Sequence, residues 1–170
     1  RGVGGPAAVD RRGCGRGPMS AVHIASAAVP TLLFRVDSGT HIGLGHLARC
    51  LTLADAWPGP TRVVSRAFDG HAQAWIDGRH PLRTLPAPTV PTGMGCGGGE
   101  DPWLRVPIDL DVRQTVAALA DVADPAVLVV DHYGIDARWH RAFGRARPDI
   151  ALAAVDDLAD RPHHVELLVD

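Results

Sequence analysis

The chain has 170 residues, enough for one ordinary domain with a sizeable core, and its 46% apolar and 21% charged content is that of a globular protein. A net charge of −2 gives no electrostatic reason to expect a nucleic acid or an anionic membrane as partner. All 17 basic residues are arginine, so a Walker A loop, Schiff-base catalysis and pyridoxal-phosphate attachment, each of which needs a lysine, are excluded.

Residues 1–20 are rich in Arg, Gly and Pro with almost nothing to bury, and residues 1–29 read as a disordered extension in which Met19-Ser20 looks like a natural start. Residues 21–34 are apolar, but His23, Ser26 and Pro30 interrupt them and no secretion signal is expected. The ordered part starts with a strand over 31–36 (TLLFRV). There follow a helix over 45–57, a strand over 62–67, a helix over 70–77 and a strand over 82–85. Residues 86–103 read by composition as a flexible surface connection, although their glycines could serve a ligand. Beyond them the pattern predicts a helix over 112–123, a strand over 126–130, a helix over 136–146 and strands over 150–155 and 166–169. The last strand stops without a turn or cap, so the chain is expected to end within a longer protein. Continuous apolar strands imply burial on both faces and a parallel sheet, and their alternation with helices implies an α/β layer with helices on both sides. Cys14, Cys50 and Cys96 are too few and too scattered for a disulfide framework or a zinc site, which fits a reducing cytoplasm. No apolar run approaches the roughly 20 residues of a membrane span.

Three polar clusters follow predicted strands, at the edge where open α/β sheets bind ligands. The first is RVDSGTHIGLGHLARC (35–50). Its glycines let the backbone approach a ligand, and the N–H groups of the following helix favour negative charge. Phosphate-bearing substrate plus proton transfer is therefore the first expectation. His46 lies in the first helical turn, where the helix dipole disfavours imidazolium. A neutral ring there can act as general base, or can simply pack. Arg35 and Asp37 either meet the ligand or form an ion pair that braces the loop, and Arg49 either reaches a phosphate or points to solvent. The second cluster is Asp131 to Asp136, where Tyr133 either contacts a sugar or makes a core hydrogen bond and Asp136 is a helix N-cap. The third is Asp156 to Arg161. Its paired carboxylates either orient a base or substrate hydroxyl or make a turn, and the lack of lysine argues against a phosphoacceptor pocket. Nine histidines show no metal spacing, adjacent His163 and His164 included. No Gly-x-Ser-x-Gly elbow is present, and Cys50 reads as core.

Taken together and in order, FRVDSGTHIGLGHLARCLTLADAW (34–57), VVDHYGIDARWHRAF (129–143) and AVDDLADRPHHVELLVD (154–170) resemble the UDP-sugar hydrolases of pseudaminic acid biosynthesis. The resemblance covers about residues 31–170 and implies a Rossmann-like N-terminal domain over 30–170, half of a two-domain enzyme similar to MurG-type (GT-B-like) glycosyltransferases. It implies a C-terminal domain beyond Asp170 that carries most UDP contacts. The implied reaction is cofactor-free and metal-independent. Water attacks the anomeric carbon of UDP-2,4-diacetamido-2,4,6-trideoxy-β-L-altropyranose with inversion, freeing UDP and sugar. His46 matches the general base, Tyr133 matches an active-site tyrosine, and Gly43 and Gly45 would lie beside the diphosphate. Arg35, Asp37, Arg49 and Asp156 complete the expected substrate-binding set. The alternatives are an inverting glycosyltransferase on the same scaffold and a non-catalytic nucleotide-sugar-binding fragment.

Overall fold

Parallel pairing of six strands, with α-helices packed on either side, organises the computed structural model, which describes residues 1–2, 28–88 and 102–170. Most of the expected 1–29 extension, most of the 86–103 loop, and Cys14 and Cys96 lie outside the described residues. The elements in chain order are β1 (Thr31–Val36), α1 (Gly45–Ala56), β2 (Thr61–Arg66), α2 (Gln73–Ile76) and β3 (Leu82–Leu85). Then come α3 (Ile108–Ala118), β4 (Ala126–Asp131), α4 (Ala137–Ala146), β5 (Ile150–Val155) and β6 (Leu167–Val169). The sheet order is β3-β2-β1-β4-β5-β6, and every pairing is parallel. This is a Rossmann-like α/β fold, in which parallel neighbours require a crossover between strands. No helix among the described residues is long and apolar enough to cross a membrane.

Alternation along each central strand assigns the two faces. Leu33, Val64, Leu128 and Val130 point to one side and pack with Val112, Trp139 and Phe143 of α3 and α4. Leu32, Phe34, Val36, Val63 and Val129 point to the other and pack with Leu47, Cys50 and Leu51 of α1 and Ile76 of α2. The Trp139 and Phe143 rings stack with centroids 5.1 Å apart. They lie one turn apart on α4, the spacing at which helical side chains meet.

Where boundaries differ from the periodic reading, local chemistry explains it. α3 starts at Ile108, four residues earlier than the apolar pattern suggests, because Pro107 occupies its N-cap and Asp109 and Asp111 fill its first turn. It ends at Ala118 rather than 123. There Arg147 donates to the carbonyls of Leu119 (2.6 Å) and Val122 (2.9 Å), satisfying acceptors just past the helix end. α2 shrinks to one turn between Gly70 (φ +73°) and Gly78 (φ +77°), left-handed positions that interrupt helical geometry. Asp136 caps α4, accepting from the Arg138 N–H at 2.8 Å.

Candidate functional site

Strand order reverses between β1 and β4, since the chain runs outward from β1 to β3, then crosses back to β4 and outward to β6. Open α/β sheets form their ligand crevice at such a point, outside the carboxyl ends of the strands. The loop after β1 is shaped by Gly43 (φ +81°) and by a two-way backbone bridge between Gly39 and Gly43. A side chain at Gly39 would meet the Asp69 carbonyl oxygen at 2.9 Å, so this loop packs directly on the loop after β2. Gly43 and Gly45 face open space, and both are exposed. α1 then begins with no side-chain cap and no acidic residue in its first turn. The field of its N-terminus is therefore not neutralised by the helix's own residues.

His46, on the first turn of α1, meets the last residue of β4. Its Nδ1 lies 2.6 Å from Asp131 Oδ1. Two acceptors would not approach so closely, so Nδ1 carries the hydrogen and donates it to the carboxylate. In the neutral ring this leaves Nε2 as the lone-pair nitrogen, and it takes no hydrogen bond among the described residues. The ring is 7% exposed and sits edge-on against Tyr133, centroids 4.3 Å apart. Tyr133 is in turn edge-on to Trp103, centroids 5.3 Å apart, with the Arg161 guanidinium 5.8 Å from its ring. Burial alone would raise the Asp131 carboxyl. Hydrogen bonds from Arg49 and His46 outweigh it and hold the group below the usual carboxylate range. Arg49 grips Asp131 with two nitrogens, Nη2 at 2.6 Å from Oδ1 and Nε on Oδ2, and reaches Asp157 at 3.2 Å. Burial and the Asp131 charge together push the Cys50 thiol up, so it stays a protonated core group at 3.6 Å from the same carboxylate.

Beneath this layer lies a buried ion network. Arg35 is forked onto Asp37 (2.5 and 3.0 Å) and onto Asp111 (3.2 and 2.7 Å). Arg66 adds a bond to Asp111 at 2.7 Å and gives its backbone N–H to Asp37 at 2.6 Å. Trp139 Nε1 donates to Asp111 at 2.9 Å. None of the four charged side chains is more than 1% exposed. Two guanidiniums face two carboxylates, which is the condition for charge to survive burial. Desolvation opposes ionisation of Asp37 and Asp111, but Arg35 prevails and both carboxyls lie below their ordinary value. His132 accepts the Gly134 N–H on Nδ1 at 2.9 Å, so its Nε2 carries the hydrogen that faces Asp37 Oδ2 at 3.1 Å.

The structure thus brings together His46, Arg49, Tyr133, Gly43 and Gly45 at one edge. It places Arg35 and Asp37 below them as a brace, shielded from solvent by the network they form. Asp156 is also buried, held by His163 Nε2 (3.0 Å), Arg161 (3.0 Å) and the Leu158 N–H (3.3 Å). The exposed partner of Arg49 is its neighbour Asp157. Sequence reasoning assigned no role to Asp131, Asp111, Arg66 or Trp103. The first ends an apolar strand and so carried a signal; the others become neighbours only through the sheet. Cavities of about 460 Å³ beside α4 and β5 and about 380 Å³ at the amino ends of the strands lie elsewhere, and neither contains His46. No family model matches the chain, and no curated protein matches it.

Proposed function

We propose that the chain is the N-terminal catalytic half of a UDP-sugar hydrolase that cleaves a UDP-linked diacetamido-trideoxy-hexose at the anomeric carbon with inversion. The carrying observation is the His46–Asp131 pair, 2.6 Å apart, at an uncapped helix start on the carboxyl edge of the sheet. Asp131 fixes the ring with its proton on Nδ1, which leaves Nε2 as the nitrogen that takes a proton from an incoming water. As the water oxygen bonds to the anomeric carbon, Nε2 takes its proton. The bond from that carbon to the diphosphate oxygen breaks, and its electron pair leaves with UDP. The exposed backbone of Gly43 and Gly45 and the N-terminus of α1 favour the diphosphate's negative charge. The three segments that resemble this family also converge, since Arg49 of the first bonds Asp131 of the second and Asp157 of the third. A C-terminal domain is proposed to supply most contacts to UDP.

The test is UDP release by the full-length enzyme. His46→Ala is expected to lower turnover by roughly 10²–10⁴, the usual worth of one general base, with an unchanged circular-dichroism spectrum. Near wild-type turnover in a folded H46A protein would remove the histidine from the mechanism. Product analysis separates the transferase alternative, which needs an acceptor where the hydrolase needs only water.

A further inference from the structure

Trp103 is 39% exposed, yet it is neither adrift on the surface nor part of the core. Single exposed apolar side chains are ordinary and need no explanation, so exposure alone argues nothing. Its position does. The next residue, Leu104, and Val106 are buried in the core that α3 and α4 share, which pins the turn carrying Trp103 to the sheet. Its ring then meets Tyr133, which meets His46, so two edge-on contacts lead from Trp103 to the imidazole. The other strongly exposed tryptophan, Trp75 on α2, makes no ring contact among the described residues.

We infer that Trp103 extends the Tyr133 ring into an aromatic wall that receives the sugar moiety of the substrate. The inference rests on the hydrolase reading above. In that reading His46 serves the anomeric carbon, and a group beside Tyr133 lies one ring away from it, which makes that group the sugar rather than the nucleobase. A trideoxy sugar bearing two acetamido groups presents methyl and ring C–H surface, and the flat faces of aromatic side chains bury such surface well.

Steady-state kinetics of the full-length enzyme on the UDP-diacetamido-trideoxy sugar test this. Trp103→Ala is expected to raise KM about ten-fold with kcat within about two-fold of wild type, Trp103→Phe to restore most of the loss, and Trp75→Ala to change neither. Inhibition by UDP alone is expected to be the same in wild type and W103A. An unchanged KM in W103A, with H46A inactive, would overturn the wall and leave the hydrolase reading standing. A parallel loss of UDP inhibition would move Trp103 to the nucleotide and overturn the sugar assignment. A wild-type enzyme that hydrolyses no UDP-sugar would overturn both.

Discussion

Asp131 serves two donors at once. It holds His46 through Nδ1 and takes two nitrogens of Arg49, so its charge is fixed in place before any ligand arrives. Because the bonds it accepts lower its carboxyl against the opposing effect of burial, it stays ionised through neutral pH. It can then stabilise the imidazolium that forms when His46 takes a proton. Asp131→Asn keeps the shape but removes the charge, and frees the ring to adopt the wrong tautomer. The expected result is a fall in kcat of roughly 10² or more with KM little changed, read from steady-state kinetics. Wild-type kcat in D131N would show that Asp131 does not orient the base. The histidine was legible in the sequence because a glycine loop and a helix start bracket it. Its partner was legible only as the polar end of an apolar strand; the pairing itself was not, because residues 46 and 131 meet only once β1 and β4 pair.

Among the elements, the readable ones are those whose pattern is local. β1, β3 and β5 lie where apolar runs place them, and Asp136 caps α4 as its position before that helix suggests. Asp136→Ala is expected to cost about 1 kcal/mol in urea unfolding, the usual worth of an N-cap. A loss under a few tenths would mean that the 2.8 Å bond to the Arg138 N–H adds nothing net. α3 was the harder element. Its first turn is set by a proline and two aspartates rather than by apolar spacing, and one of those aspartates, Asp111, is aimed inward at Arg35 and Arg66. A buried arginine in β1 and another closing β2 look like mistakes in apolar strands until their carboxylate partners arrive from distant segments.

For the whole molecule, sheet order is what the sequence could not supply, since parallel pairing joins residues from 14 to 95 positions apart. The alternation of strands and helices nevertheless restricted the answer to a parallel α/β layer, which the structure has. Buried imidazoles tie stability to pH. Burial, and then the nearby His163, push the fully buried His140 down from 6.5 to about 4, with His164 and Arg161 acting in the same direction and Asp136 opposing. Between those values the unfolded chain binds the proton that the folded chain refuses. Stability is therefore full above about pH 6.5 and falls as pH drops toward 4, by roughly 2–3 kcal/mol from this group. Urea midpoints across pH 7 to 5 should fall, and less steeply in His140→Gln; equal slopes would contradict the assignment. Water attack at the anomeric carbon, assisted by His46, is read out by turnover in ¹⁸O-water with mass analysis of both products. The label is expected in the freed sugar, with none in UDP. Label in the terminal phosphate of UDP would contradict it, placing the attack on phosphorus.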